Sequence, residues 1–568
     1  GVVAAWRVAH SSARYGRIGS VGKRARHQLG GLVWCGGVAA LGLLLAMTVG
    51  GFLNATTLRW QWPDLAAAVD SPYGRLVAQA RAGQHVFFVN GQLAFESQST
   101  FPEAVIHFPM LAHPDPRRVL LIGGGLAGDL REVLRHPVER VVTVELDPWL
   151  IETARAILPE AEMSALEDPR VEVVLADGRS VVRSGGERFD AIILDLPPPA
   201  TGALNRYYTR QFFLEVRARL APDGLLALGL PSAENYWSPE LVQRNASVYV
   251  ALQSVFPNVL ALSSGDHLFL LAASAPLPAD ADRMIARLEA RGIVTRQVTP
   301  AYLTYVFAND RFAADRTRLD RTHSVRLNDD LTPICYYYDL ALWLSRFDPG
   351  LSRLFEEAGR LSLVWLAPSL ALAVVLVRWR RQAATAFAIG SVGLAQMLLQ
   401  VVILFAFQVV HGTLYAGVGL MVAAFMAGLA GGGALGNRVL RGRAADDAGR
   451  HGGLPLRSAR WGLIGVQAGV ALFSGLVVGL LWLPAPVPEA GFAILGVIAG
   501  LLPGVAFPLA AALVGGEARA VGRLYGADLL GGALGAALCA ALLVPLLGLP
   551  QVCLLAALVG LGGMLSLL

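Results

Sequence analysis

Apolar positions are unevenly spread along this chain. Residues 54–360 mix apolar and charged positions at short period, whereas residues 361–568 form long apolar runs interrupted by short arginine-rich patches. A helix that crosses the hydrocarbon core of a bilayer needs about 20 apolar residues. Runs of that kind occupy 31–53, 361–377, 383–410, 413–436, 461–483, 490–514, 525–547 and 550–568. The last two are the hardest to divide, because only Gly548 and Leu549 lie between them. The pattern predicts four parts: a basic cytoplasmic arm over 1–30, a transmembrane anchor over 31–53, a soluble domain over 54–360, and an all-α polytopic membrane domain of about seven helices over 361–568. The first run is longer than the apolar region of a cleaved signal, about 7–15 residues, so it reads as an uncleaved anchor.

Inside the soluble stretch the pattern changes to short apolar strands alternating with helices. Val119–Gly123 is a β-rich run followed by Gly124, Gly125 and Gly128, and Asp129–Arg135 then reads as helix. Val141–Leu146, Val171–Leu175 and Ala191–Leu194 read as further strands, with a helix at Trp149–Ile157. Alternation of this kind predicts a doubly wound parallel α/β sheet, in which ligands bind beyond the carboxyl ends of the strands. Acidic residues mark those ends: Glu145, Asp177 (followed by Gly178) and Asp195. The glycines would let backbone approach a ligand closely. Glu145 stands where an acid accepts hydrogen bonds from ribose hydroxyls, and Asp177 where a base amine could be met. Loops capped by acidic residues would give the same order of residue types, and that reading stays open.

Composition separates the two halves further. The 568 residues are 55% hydrophobic and only 16% charged, with mean hydropathy +0.52, against roughly 25% charged in soluble domains. A net charge of +5 and a pI near 9.1 would suit nucleic acid. The basic residues fall in short loops between apolar runs, however, so a lipid bilayer is the expected partner and nucleic acid is not. Arg7, Arg14, Arg17, Lys23, Arg24 and Arg26 precede the first run; Arg378, Arg380 and Arg381 follow the second; Arg438 to Arg460 and Arg519 with Arg523 flank later ones. The intervening turns 411–412, 484–489 and 548–549 have no Lys or Arg. If the runs alternate in direction, all basic segments share one side, which the positive-inside rule makes the cytoplasm. The soluble domain then lies on the other side, the periplasm in a bacterium, with the chain in the inner membrane.

Cys35, Cys335, Cys539 and Cys553 contain no CxxC spacing and only Cys335 is in the soluble domain, so neither a disulfide within that domain nor a cysteine metal site is expected. His107 and His113 lack carboxylate or thiol companions at ligand spacing, and no metal is expected there. Tyr336–Tyr338 with Trp343 reads as packing near the membrane boundary. Asp528, at the start of an apolar run, reads as a helix-end ion pair with Arg523. Gln396, Gln400, Gln408 and Gln467 supply no charge pair for ion coupling.

The soluble stretch resembles the polyamine aminopropyltransferase family, above all its membrane-fused, spermidine synthase-like members. The matching text is GQLAF, HFPMLAHPDPRRVLLIGGG, DLREVLRHPVERVVTVELDP, LADGR, FDAIILDLPPP, RYYTRQFF and LNDDLTPICYYYDL, spread over roughly residues 85–345. The resemblance implies a class I methyltransferase-like sheet preceded by a small β region near 85–100. It implies a pocket for an S-adenosylmethionine derivative, although the sequence fixes no cofactor by itself. It also implies Gly123, Gly124, Gly125, Glu145, Asp177 and Gly178 as cofactor-binding, Asp195 as catalytic base, and Gln98, His107 and Tyr208 as substrate-binding. Tyr208 is followed by Thr209 in the same matching segment.

This sequence departs from the family in the half of the pocket that performs transfer. Ala94 stands where Gln is expected, with Gln98 as the substitute; Ile106, His107 and Phe108 stand for Tyr-His-Glu; Leu126 and Ala127 replace Asp-Gly of the glycine run, leaving Asp129 displaced and pointing elsewhere; Pro198 replaces the second Asp of Asp-x-x-Asp. Charge-assisted contacts of this kind are worth about 1.5–3 kcal/mol each. The expectation is therefore a pseudoenzyme: a ligand-binding or assembly subunit of a membrane complex with partner membrane subunits. An active aminopropyltransferase and a transporter are the alternatives.

Overall fold

The computed structural model describes residues 21–321, 325–359, 362–379, 383–412, 415–447, 456–483, 487–515 and 517–568. Arg7, Arg14, Arg17, Arg380, Arg381 and Arg450 of the predicted basic segments lie outside the described residues. Helix α1, Val21–Gln61, is 41 residues long and its Gly36–Gln61 portion is apolar enough to cross a membrane.

After α1 comes a four-stranded antiparallel meander of β1 (Leu65–Asp70), β2 (Arg75–Arg81), β3 (Gln84–Val89) and β4 (Gln92–Glu96). It begins about twenty residues before the β region expected near 85–100. Ala82-Gly83 and Asn90-Gly91 both have two positive φ angles, the twist that closes a two-residue hairpin without splaying the strands. Leu76, Phe87 and Phe95 of the meander pack on Leu150 and Ala154. Both lie in α4 (Pro148–Ile157), which follows α2 (Phe101–Ala112) and α3 (Asp129–Val133).

A seven-stranded sheet follows in the order β10-β11-β9-β8-β5-β6-β7. Its strands are β5 (Arg118–Gly123), β6 (Arg140–Glu145), β7 (Val171–Leu175), β8 (Phe189–Asp195), β9 (Leu220–Pro231), β10 (Asn258–Ser264) and β11 (His267–Ala273). Strands β7, β6, β5, β8 and β9 are parallel and β11 is antiparallel to both neighbours. This is the class I methyltransferase-like α/β arrangement. Alternation along β5 divides the core. Leu120 and Ile122 face α5 (Gly178–Ser184), α7 (Arg210–Arg219) and α8 (Pro239–Gln253). Val119 and Leu121 face α2, α3 and α9 (Ala281–Ala290). Between α5 and α7 lies one turn, α6 (Gly202–Asn205). Strand β5 is the switch point, with β6 on one side and β8 on the other, so the cleft opens beyond Gly123. Four further helices, α10 (Pro300–Ala308), α11 (Asp310–Arg321), α12 (Ile334–Ser345) and α13 (Pro349–Ala358), lead to the apolar region.

The remainder is helical: α14 (Leu363–Trp379), α15 (Ala384–His411), α16 (Tyr415–Asp447), α17 (Leu456–Leu481), α18 (Glu489–Leu513), α19 (Ala518–Leu538, continued through a wide turn to Leu547) and α20 (Leu549–Leu567). Counting α1, seven described helices are long and apolar enough to cross a membrane, and α14 is a shorter apolar helix. At one end of the bundle His411 Nε2 lies 2.9 Å from the Val487 carbonyl, and Leu549 donates its N–H to the Leu331 carbonyl of the soluble domain at 2.8 Å. At the other end Arg378 donates to the Leu565 carbonyl, and Arg460 caps the carbonyl of Leu567. The described arginines of the basic segments and the soluble domain thus sit at opposite ends. Two helix pairs touch through glycine. Side chains at Gly428, Gly432, Gly500 or Gly504 would strike the partner backbone of α18 or α16, and those at Gly531 or Gly393 the partner backbone of α15 or α19. Asp528 packs against Gly393 rather than pairing with Arg523, which corrects the expected helix-end ion pair: a side chain at Gly393 would lie 2.8 Å from Asp528 Oδ1.

Candidate functional site

The turn after β5 carries the site. Gly123 and Gly124 have φ of +79° and +69° and Gly128 has φ of +109°. A side chain at Gly124 would collide with the Asp129 carboxylate and lie 2.7 Å from Asp195 Oδ2. Any L-residue there is therefore excluded twice, by backbone conformation and by space. Asp195 ends β8 and lies in register with Gly123.

Asp129 is the main correction to the sequence reading. Its displacement from the family position does not turn it away. The left-handed Gly128 starts α3 so that Asp129, fully buried, meets Asp195. Neither oxygen of Asp129 receives a hydrogen bond from a protein donor. Burial, and then the Asp195 charge, push the Asp129 carboxyl well above the usual carboxylate range. Burial also raises Asp195, while the Asp129 contact and His267 pull it back. Two carboxyl groups so placed disfavour ionising together and titrate as a pair.

Glu145 ends β6. Its Oε1 accepts the N–H groups of Leu146 (2.7 Å) and Asp147 (3.0 Å), and burial raises its carboxyl against these two hydrogen bonds. Asp147 in turn caps α4 and receives the Ser71 hydroxyl at 2.5 Å, which ties the meander to the cleft. Asp177 follows β7 and caps α5. Its Oδ1 accepts from Ser180 N (2.9 Å) and Arg206 Nη2 (2.8 Å), and its Oδ2 from the Tyr207 hydroxyl (2.9 Å). Gly178 is pressed on β5, since a side chain there would lie 2.5 Å from Ile122 Cγ2. The structure therefore gathers Gly123, Gly124, Gly125, Glu145, Asp177, Gly178 and Asp195 along one edge of the sheet.

The three residues expected to bind substrate are engaged elsewhere. His107 is fully buried, with Nδ1 2.9 Å from His136 and Nε2 3.2 Å from Glu132. His136 is driven down to about 2, chiefly by burial, and Glu132 falls to about 2 because its hydrogen bonds to His107 and Arg135 outweigh burial. Gln98 is exposed and donates to the Gly83 carbonyl at 3.3 Å. It lines a cleft of about 480 Å³ with Glu103, Arg131 and Arg296. Of the cleft's three acids, Glu103 already accepts the N–H groups of Arg296, Gln297 and Val298, Glu132 is paired with Arg135, and Glu162 also lines it. Tyr208 is buried and donates its hydroxyl to the carbonyls of Leu196 and Pro197. It braces the loop after Asp195 from behind.

Sequence reasoning passed over the arginines that hold this edge. Arg179, fully buried, is forked between Glu215 (2.8 Å) and Asp330 (2.6 Å), and Thr209 donates its hydroxyl to the same Asp330 at 2.7 Å. Arg206, 1% exposed, pairs with Asp177. Both lie in matched segments, LADGR and RYYTRQFF, but no spacing in the sequence marks either as buried.

The spermine/spermidine synthase domain family matches residues 99–260. A polyamine aminopropyltransferase of Korarchaeum cryptofilum is 44% identical over 126 residues, 22% of this chain and 39% of the relative. One of Nitrosomonas europaea is 36% identical over 199 residues, 34% of this chain and 61% of the relative. The match thus spans less than two thirds of either relative's length. Among solved structures, a spermidine synthase from Thermotoga maritima is 24% identical with a TM-score of 0.38, covering 45% of this chain and 88% of that one. The glycine turn, the acid-ended strands and the matched segment agree, and the chain carries a spermidine synthase-like domain.

Proposed function

We infer that this is a multi-pass membrane protein whose spermidine synthase-like domain lies on the extracytoplasmic face and binds a nucleoside-type ligand, such as an S-adenosylmethionine derivative, without efficient aminopropyl transfer to a diamine. It serves in this reading as a ligand-binding or assembly subunit beside partner membrane proteins. The observation that carries it is the state of the carboxylates. Burial raises both the Asp195 and the Asp129 carboxyls, so together they offer less negative charge than two free carboxylates. Leu126 and Pro198 stand where the resemblance expects acids, and Glu103 is held by three backbone amides. A dicationic amine has too little opposing charge in such a site. The glycine turn with Glu145 supports the nucleoside half. The side assignment is supported by the described arginines of the basic segments ending the bundle opposite the domain.

Purified protein incubated with decarboxylated S-adenosylmethionine and putrescine tests the reading. No spermidine above background is expected, while the nucleoside binds in a titration. Turnover at rates usual for aminopropyltransferases overturns it in favour of the second reading, an active transferase with Asp195 as base. The contact with Asp129, which lowers Asp195 relative to Asp129 and so leaves Asp195 the readier of the two to ionise, is the specific observation on that side.

A further inference from the structure

Beside the β7 end of the cleft, the soluble domain meets the membrane bundle. Asp177 is joined through Arg206 to α15, the apolar helix that ends at His411. The buried Arg206 guanidinium gives Nη2 to Asp177 Oδ1 at 2.8 Å, and its Nη1 lies 3.4 Å from the Gln408 carbonyl in the last turn of α15. One cation therefore serves a carboxylate and the negative end of a helix dipole. Gly412 caps that helix, its N–H donating to the Gln408 carbonyl at 3.0 Å, with φ of +81°. A side chain at Gly412 would lie 2.6 Å from Arg206 Nη1 and 3.0 Å from Asp177 Oδ2. The loop leaving Asp195 reaches the same helix: a side chain at Gly202 would lie 2.8 Å from the Phe405 ring and 3.2 Å from Gln408 Oε1. Two of the acid-ended strands thus lead to the last two turns of one apolar helix.

We propose that the nucleoside site is composite, with the end of α15 at Gly412 forming the wall of its base end and Arg206 acting as the positioning residue that holds Asp177 for an exocyclic amine of the base. The proposal rests on the nucleoside reading of the cleft. Its physical content lies in Asp177 Oδ2. That oxygen accepts one hydrogen bond, from Tyr207, and has one further lone pair. An amine donating to it must sit beside Gly412, so base recognition and the position of the helix end are one equilibrium. A ligand that favours one placement of α15 shifts it, and the helix shifts ligand affinity by the same factor.

The test uses the full chain in nanodiscs and two probes, adenosine and purine riboside, which differ by the exocyclic amine. The wild type is expected to bind adenosine at least about fivefold more tightly, the size of one neutral hydrogen bond. In Gly412→Ala and in Arg206→Gln this ratio is expected to fall to near one, with Arg206→Lys between. A merely structural weakening would lower both affinities and leave the ratio intact. Phe405→Ala, at the same interface but away from Asp177, should keep the ratio and shows that the interface itself tolerates change. If the wild type binds neither probe, the nucleoside reading fails and this site fails with it. Binding without preference for the amine, or a preference unchanged in Gly412→Ala and Arg206→Lys, overturns the composite wall alone and leaves the nucleoside reading standing.

Discussion

Asp129 and Asp195 approach each other beneath Gly124 with no protein donor to Asp129. Their relationship disfavours two fixed charges in the site. It also gives the fold a pH dependence that can be signed.

In the native state Asp129 holds its proton well above the 3.8 of an ordinary aspartate. The folded protein therefore binds more protons than the unfolded chain above that value, and stability falls as pH rises through the window between the two. Asp129→Asn keeps the shape and removes the loss. Thermal unfolding in detergent should find the variant at least as stable as the wild type near about pH 8, with the difference vanishing on acidification towards about pH 4. A variant that is less stable at alkaline pH would contradict a raised Asp129 carboxyl.

Gly124→Ala combines a left-handed φ of +69° with a clash against two carboxylates. Gly83→Ala has the same strain, with φ of +82°, but open space around it. Strain alone costs about 1–3 kcal/mol. Gly83→Ala should stay within that range and preserve ligand binding, whereas Gly124→Ala should exceed it and abolish binding. Paired melting and titration measurements separate the two.

Asp330→Ala removes one of two carboxylates from fully buried Arg179 and the acceptor of the Thr209 hydroxyl. An unbalanced buried charge costs about 3–5 kcal/mol, and the surviving Glu215 pair places this variant at the lower end, about 3 kcal/mol. Denaturant titration would measure it. An effect below about 1 kcal/mol would mean that Arg179 is solvated in the native protein.

Orientation is open to thiol labelling in a Cys35→Ser background, because Cys335, Cys539 and Cys553 are buried. A membrane-impermeant reagent on intact cells should label Asp266→Cys, at a side chain 80% exposed on the soluble domain. Arg438→Cys, at the end of the bundle carrying the basic segments, should react only after lysis. The reverse pattern would place the domain in the cytoplasm, where S-adenosylmethionine derivatives are made, and would strengthen the transferase reading.

The sheet edge was legible because β6 and β8 are apolar runs that end on an acid and β7 is followed two residues later by one, so Glu145, Asp177 and Asp195 could be placed by pattern alone. Asp129 was not, since its direction depends on the φ of Gly128, which spacing does not report. His107 was misplaced for a related reason. A histidine in matched text was read as facing ligand, but the i to i+3 face of α2 turns it onto Glu132 and His136. Only the later part of the meander, near 85–100, was expected, because that expectation came from the resemblance, whose matching text starts near residue 85, after β1 and β2. Arg206 was invisible to local reading, because its second partner, Gln408, lies 202 residues away.

The glycine contacts in the bundle carry a mechanical consequence. Backbone touches backbone along α16 and α18, and again along α15 and α19. Helices in such contact cannot slide past one another without opening a void or a clash, so each pair behaves as one stiff plank. Relative movement, if ligand drives any, is left to the seams between planks, and α15, which carries Gly412 to the nucleoside edge, would bring α19 along with it.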